Sequence, residues 1–235
     1  MNSINKTGRM AGFLYLMYMV ITIPADALGR SPLIVFGDPA TTARNIVASE
    51  WQFRIGITGD LVSAVFFLLA AWALYVLLKP VNKDLALLFL LLNLGGVAVY
   101  SINLLNQFAA VLLLSGVDTL KVLQADQLQA LVMFFLTLHK NGYWIAQIFF
   151  GAWLLPLGCL VFKSGFLPKF LGAILMVHCV TWTTTSLLYF LSVPGYTAIT
   201  NISFPLGFIA ESGLTLWLLI KGAKDQALTQ SDAQQ

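Results

Sequence analysis

The chain has 235 residues, of which 59% are hydrophobic and only 10% charged, and its mean hydropathy is +0.84. Soluble domains carry roughly 25% charged residues, and a soluble protein this apolar would expose large hydrophobic patches, so the composition predicts a bilayer as the solvent. The formal net charge is +3, and the basic residues occur in pairs at predicted helix ends rather than in one patch. This distribution argues against nucleic acid as a partner. Cys159 and Cys179 are expected to be free thiols on neighbouring helices.

The first apolar segment, about residues 10–28, follows a basic start. Two interpretations stay open: a retained helix, or a secretory signal with Ala25-Asp26-Ala27 as its cleavage site. We favour a retained helix, because Tyr15, Tyr18 and Thr22 recur at helical spacing, for which a discarded segment has no use.

Residues 29–50 are predicted as a polar loop that contains a short surface helix, because Asp38-Pro39 is a good helix start. Two spans follow, and the short loop between them predicts that they lie antiparallel. The spans after the first are predicted at about 52–79, 85–114, 143–162, 166–191 and 203–221.

Residues 118–139 are predicted to form an interfacial helix, because their apolar stretch is too short to cross a bilayer. We expect this helix to end at a break at Asn141-Gly142, and residues 193–201 to form an outer turn. The tail from 224 to 235 is predicted to be disordered and cytoplasmic. The fold class is therefore an all-α polytopic bundle of about six transmembrane helices, within a single domain over residues 1–223.

The basic residues predict the orientation of the bundle. With six spans and the amino terminus inside, eight lysines and arginines fall on inner segments and five on longer outer ones. Both termini are thus predicted to be cytoplasmic, in the cytoplasmic membrane of a bacterium.

Two acidic residues lie well inside predicted spans. Asp60 is about 13 Å below the outer interface and Glu211 about 15 Å deep, at 1.5 Å per residue. His178 reaches a similar depth from the other side. Because intramembrane carboxylates are costly, they usually face a bundle interior and serve a function. If both approach each other, they would share a proton or a cation, since both cannot ionise cheaply in a low dielectric.

Cations that could pair with these carboxylates are scarce in the sequence. Only Arg54 and His178 lie within reach of these carboxylates in the sequence pattern, and Arg54 is expected to snorkel outward or pair with Glu50 one turn earlier. Polar residues at helical spacing occur on five predicted helices and are penalised if they face lipid, so we expect them to line one polar pocket. The residues predicted to bind a ligand or couple protons are Asp60, Glu211, His178, Asn103, Tyr100, Thr181 and Gln147.

Three functions remain open from these residues. The leading hypothesis is a bundle that binds a small cationic or amphipathic ligand, or couples its movement to protons. The second is a structural or assembly subunit, because Asn and Thr are also common between transmembrane helices. The third is a membrane-embedded hydrolase with a metal held by Asp60, Glu211 and His178. No metalloprotease, nucleophile-elbow or phosphate-loop motif is present in the sequence, and we predict no catalytic residue, resident metal or cofactor.

Several stretches resemble one family of bacterial multi-pass membrane proteins, the domain of unknown function 4386. They are TGRMAGFLYL, GDPATTARNIVASEWQFRIGITGDL, ALYVLLKPVNKDLALL, IFFGAWLLPLGCLVFKSGFLPKFLGAIL and IAESGLTLWLLIKG, in this order along most of the chain. The resemblance implies about six membrane helices and no established activity, so it adds nothing to the assignment of site residues.

Overall fold

The computed structural model describes residues 3–116, 118–120 and 122–223. Throughout these ranges the regular structure is helical, with no strand. The α-helices are α1 (Ser3–Pro24), α2 (Pro39–Ala48), α3 (Glu50–Leu78), α4 (Lys83–Leu114), α5 (Ala125–Ala152), α6 (Leu154–Lys163), α7 (Lys169–Phe190) and α8 (Tyr196–Ile220). A π-helical turn (Ala25–Arg30) and a 3-10 turn (Ser31–Leu33) follow α1, and a second 3-10 turn covers Asp118–Leu120. The predicted tail 224–235 lies outside the described residues.

Six helical segments of the described chain are long and apolar enough to cross a membrane. They are Ile4–Leu33, Glu50–Leu78, Lys83–Leu114, Ala125–Lys163, Lys169–Phe190 and Tyr196–Ile220. The prediction of an all-α bundle with six spans is therefore confirmed in length and composition.

The chain forms two compact units. Unit 1 takes its described residues from Met1–Met17, Phe66–Val97 and Ile145–Gln235. Unit 2 comprises Tyr18–Val65 and Ala98–Trp144. Each unit is built from segments far apart in the sequence.

Close helix contacts in unit 1 depend on glycine. A Cβ on Gly12 of α1 would lie 2.7 Å from the backbone nitrogen of Leu219 in α8, and a Cβ on Gly172 of α7 would lie 2.6 Å from the carbonyl oxygen of Gly158 in α6. Small residues of this kind let transmembrane backbones approach without a side chain between them. The α1–α8 and α6–α7 pairs are thus packed backbone to backbone.

Unit 2 has its own apolar core, which consists of Leu33, Ile46, Phe53, Ile57, Leu104, Ala110, Val111, Val132 and Leu136. Its helix α2 begins as predicted, because the Asp38 side chain accepts a hydrogen bond of 2.9 Å from the Thr41 backbone N–H and Pro39 occupies the first turn. Hydrogen bonds from Thr41 also hold the pKa of the Asp38 carboxyl below its ordinary value.

The predicted break at Asn141-Gly142 is wrong. α5 runs without interruption from Ala125 to Ala152, so the segment 118–139 is not a separate helix, although a 3-10 turn does precede α5. Gly142 lies inside the helix, and its missing side chain leaves the space in which the Asn103 amide of α4 packs. The interruption falls instead at Trp153, between α5 and α6. Whether the start of α5 lies at the membrane interface stays a prediction.

Two further boundaries differ from the sequence prediction. α8 begins at Tyr196, which makes part of the expected outer turn helical, because the chain reverses already at Gly195 with a left-handed φ of 83°. At the other end of the chain, Arg30 was predicted in a polar loop, but it ends the π-helical turn after α1 and is only 5% exposed.

Candidate functional site

Asp60 in unit 2 is fully buried and paired with an arginine. The Nη2 of Arg30 lies 2.8 Å from Asp60 Oδ2 and 3.0 Å from Oδ1 of Asp26. Asp26 is largely exposed, whereas Arg30 and Asp60 are not. One buried guanidinium therefore serves two carboxylates, and its permanent charge balances that of Asp60.

Glycines allow Arg30 to reach Asp60. A Cβ on Gly56, one turn before Asp60, would lie 2.5 Å from Arg30 Cγ and 2.9 Å from the carbonyl oxygen of Ala25. A Cβ on Gly29 would lie 2.7 Å from the Gly56 Cα. The π-helical turn and these two glycines thus bring the arginine against α3. Single π-helical turns are frequent at functional sites.

The hydroxyls of Tyr100 and Thr22 also interact with the Asp60 carboxylate. Tyr100 additionally interacts with Arg30 and places its ring 6.4 Å from that of His139. Tyr100, one of the predicted site residues, therefore lies near Asp60, whereas Arg30, the charged partner of this carboxylate, was not predicted.

Asn103 joins α4 to α5 within unit 2. Its Nδ2 donates a 2.8 Å hydrogen bond to the carbonyl oxygen of His139 and lies 3.1 Å from His139 Nδ1. Its Oδ1 occupies the space above Gly142. This predicted ligand residue is thus engaged in helix packing.

Glu211 in unit 1 has different partners. The Tyr15 hydroxyl donates a 2.7 Å hydrogen bond to Glu211 Oε2, and His178 Nε2 lies 3.8 Å from Oε1. Tyr15 is fully buried, while the Glu211 side chain keeps 22% of its surface exposed. The structure therefore brings together two of the predicted site residues, Glu211 and His178, and adds Tyr15.

His178 is fixed in place beside α8. Its imidazole packs directly over Gly207, one turn before Glu211, where a Cβ would collide with the ring. The ring also lies 5.6 Å from that of Trp182. Any side chain at Gly207 would move the imidazole relative to the carboxylate.

An aromatic cluster surrounds Tyr15; its members are Tyr15, Phe67, Phe89, Phe150 and Trp153. Tyr15 lies 5.6 Å from Phe67 and 6.3 Å from Trp153, measured between ring centroids. Phe67 contacts Phe150 at 5.3 Å and Trp153 at 5.2 Å, and Phe89 contacts Trp153 at 6.2 Å. The phenol that binds Glu211 is thus part of a rigid group of rings.

The remaining predicted residues have structural partners. Gln147 accepts a 2.7 Å hydrogen bond from the indole nitrogen of Trp182, which joins α5 to α7. The Thr181 hydroxyl donates to the carbonyl oxygen of His178 in its own helix. Both contacts belong to unit 1, and neither involves Glu211.

Asp60 and Glu211 belong to different units, each with its own partners, and a single pocket shared by both stays a prediction. Within the described ranges, no three His, Cys, Asp or Glu residues are grouped closely enough to hold a metal ion. The hydrolase hypothesis therefore gains no support from the geometry.

Sequence reasoning missed Arg30 and Asp26 as partners of Asp60. Arg30 stands 30 residues before Asp60, beyond any helical spacing rule, and the π-helical turn that points it inward has no sequence signature. The helical spacing of Tyr15, Tyr18 and Thr22 did single out α1 as a helix with a polar face. The predicted pair of Arg54 and Glu50 is confirmed, with a 2.6 Å contact.

The profile of the family described as Domain of unknown function (DUF4386) matches residues 10–222. An uncharacterised protein of Archaeoglobus fulgidus is 30% identical over 168 residues, which cover 72% of this chain and 84% of that protein. No solved structure matches the chain. The match of the family profile to nearly the whole sequence shows that the chain belongs to the DUF4386 family.

Proposed function

We propose that this membrane protein binds a small organic cation at Glu211 and exchanges it for a proton. The observation that carries the proposal is the set of partners of this carboxylate. Among the described residues, Glu211 is paired with a phenol and an imidazole, neither of which has a permanent positive charge. A carboxylate held in this way needs either a proton or a mobile cation to balance it.

The aromatic cluster supports an organic cation over a metal ion. The faces of Tyr, Phe and Trp rings attract ammonium groups, by about 0.5–2 kcal/mol for each favourable contact. Metal cations such as Ca²⁺ require six to eight oxygen ligands, and Glu211 with Tyr15 offers few. A carboxylate beside aromatic rings is therefore suited to an ammonium group.

The exchange balances charge without any further group. When the ammonium ion approaches, the proton on Glu211 leaves to water, either directly or through His178 Nε2, 3.8 Å from Oε1, and the carboxylate pairs with the cation. When the cation leaves, the proton returns to the same oxygen. Tyr15 donates its hydrogen bond to Oε2 in both states and so keeps the carboxyl in position.

The test compares the thermal unfolding of the purified protein in choline, tetramethylammonium and methylammonium chloride with that in NaCl at equal ionic strength. A ligand at 100 times its Kd stabilises a protein by about 2.7 kcal/mol, so we expect a clear rise of Tm with at least one ammonium salt. Glu211→Gln should abolish this rise. The matched control Glu50→Gln makes the same change at an exposed acid and should preserve the rise of Tm. An ammonium effect that survives Glu211→Gln contradicts the proposal.

A structural subunit is the second candidate. Three of the polar side chains predicted for the site, Asn103, Gln147 and Thr181, make hydrogen bonds to neighbouring helices or to their own backbone. If this is the function, Glu211→Gln will change stability alone and no ammonium salt will raise Tm.

We further propose that the protein lies in a bacterial cytoplasmic membrane with both termini in the cytoplasm. The support is the excess of lysine and arginine on the short inner segments. Alkaline phosphatase fused to the carboxyl terminus should be inactive and a fluorescent protein in the same place should be bright. Phosphatase activity at this position would reverse the orientation.

A further inference from the structure

Several side chains in unit 1 have buried polar atoms without a hydrogen-bond partner among the described residues, and three of them belong to residues that are buried as a whole. Asn93 of α4 is fully buried, and both its Nδ2 and its Oδ1 lack a partner. Oγ1 of Thr215 and Nδ1 of His178 are in the same situation, at 1% and 4% exposure of their residues. Buried polar groups are nearly always satisfied in native proteins, so each exception needs an explanation.

Asn93 stands next to the aromatic cluster on α4. One turn before it, the Phe89 ring contacts Trp153. Three residues after it, a Cβ on Gly96 would lie 2.5 Å from the Phe150 ring. Because residues three and four apart share one helix face, Asn93 lies on the face that meets two rings of the cluster.

Thr215 and His178 flank Glu211 itself. Thr215 follows Glu211 by one turn of α8 and therefore lies on the same face of that helix. His178 presents Nε2 toward the carboxylate and leaves Nδ1 without a described partner. Thr215 and His178 thus lie beside Glu211, and Asn93 lies beside the aromatic cluster that contains Tyr15, the hydrogen-bond partner of Glu211.

We propose that Asn93 and Thr215 bind the polar end of the ligand whose ammonium group pairs with Glu211. The ligand is then a small ammonium compound that carries a hydroxyl or similar hydrogen-bonding group. A side-chain amide has one donating and one accepting end, and both ends of Asn93 are unsatisfied, which suits a hydroxyl that donates and accepts. This inference rests on the proposed function and specifies its ligand class.

A purely structural role does not account for Asn93. Leucine has a similar size, leaves no unsatisfied amide, and would pack equally well beside phenylalanine and tryptophan. A buried asparagine without a partner therefore weakens the folded protein unless a bound molecule satisfies it. A site with such groups rejects an analogue that lacks the matching hydroxyl.

The experiment measures the affinities of choline and n-propyltrimethylammonium by isothermal titration calorimetry. The second cation carries a methyl group where choline has its hydroxyl. Ethanolammonium and n-propylammonium form a second pair of the same kind. We expect the hydroxylated member to bind at least about tenfold more tightly. Asn93→Leu should bring this ratio close to one, leave the affinity for the alkyl member within about threefold, and preserve or raise Tm.

Two variants complete the test. Asn106→Leu makes the same change on α4 in unit 2 and should keep the preference for the hydroxyl. Thr215→Val is nearly isosteric and should reduce the preference, which keeps the inference testable if Asn93→Leu does not fold.

The outcomes separate this inference from the proposed function. If the Glu211→Gln variant binds both cations of each pair as tightly as the wild-type protein does, the proposed function is contradicted. A different result would contradict this inference alone: Glu211→Gln abolishes the binding of both cations of a pair, while Asn93→Leu and Thr215→Val still prefer the hydroxylated cation. Equal affinity of the wild-type protein for both members of each pair also overturns it.

Discussion

Asp60 in unit 2 and Glu211 in unit 1 are both acidic side chains within helices long and apolar enough to cross a membrane, but their partners differ in kind. Asp60 is fully buried against Arg30, whose charge is permanent. Glu211 is partly exposed and contacts Tyr15 and His178, which can both be neutral. A carboxylate with a fixed cation has no need of a second one, whereas a carboxylate without it must take up a proton or a ligand. This difference supports the proposed ligand at Glu211 and favours a structural role for Asp60.

The largest loss of stability is expected from Arg30→Met, which removes the permanent cation beside Asp60 and so removes the difference between the two carboxylates. Truncating one partner of a buried ion pair costs about 3–5 kcal/mol, because the other charge remains buried. The expected result is a large loss of unfolding free energy, measured by chemical denaturation in detergent.

Arg54→Met is the matched control for this loss. It removes an arginine from the half-exposed pair with Glu50, which contributes at most about 1 kcal/mol. The double variant Arg30→Met/Asp60→Leu removes both charges and should recover much of the stability. Equal effects of Arg30→Met and Arg54→Met would show that the buried pair does not stabilise unit 2.

Gly142→Ala should have an intermediate effect and tests whether polar groups in unit 2 serve packing. The added Cβ would collide with Oδ1 of Asn103 and displace its hydrogen bond to His139. Overpacking of this kind costs about 1–3 kcal/mol. Circular dichroism during thermal unfolding would measure the fall in Tm.

Two further variants define the origin of that effect. Gly213→Ala in unit 1 meets only the flexible end of Leu171, at 3.1 Å, and should be nearly neutral. Asn103→Ala combined with Gly142→Ala should be less destabilising than the sum of the two changes, because they remove the same contact. Strict additivity would mean that the collision with Asn103 is not the cause.

The smallest effect on stability is expected from Glu211→Gln. The glutamine oxygen can still accept the hydrogen bond from Tyr15, so the unfolding free energy should stay within about 1 kcal/mol of the wild-type value. Asp60→Asn, the equivalent change in unit 2, should cost clearly more, because Arg30 then retains only the exposed Asp26. Identical Tm values for the two variants would remove the distinction between the carboxylates.

Hydropathy was enough to predict the number of spans and most of their ends. The ends that were predicted correctly are set locally, by charged residues, glycine or proline next to the apolar stretch. The Asp38-Pro39 start of α2 and the Arg54–Glu50 pair were predictable for the same reason. The pairing of Arg30 with Asp60 was not, because it depends on a π-helical turn and on two glycines that meet from different segments. Gly142 was misinterpreted as a helix break because a packing glycine and a terminating one look alike in a sequence.

The contact between α1 and α8 has a consequence for the biosynthesis of this protein. Tyr15 and Glu211 are 196 residues apart, and the Arg9 guanidinium donates to the carbonyl oxygen of Ile220 across 211 residues. At about 5–20 residues per second, a ribosome needs roughly 10–40 seconds to make the intervening chain. During this time the surface of α1 at Gly12, which later packs against the backbone of α8, has no α8 to contact. The Glu211 site can therefore assemble only after α8 has been synthesised, and a chain that stops before α8 leaves the Tyr15 hydroxyl without its Glu211 acceptor.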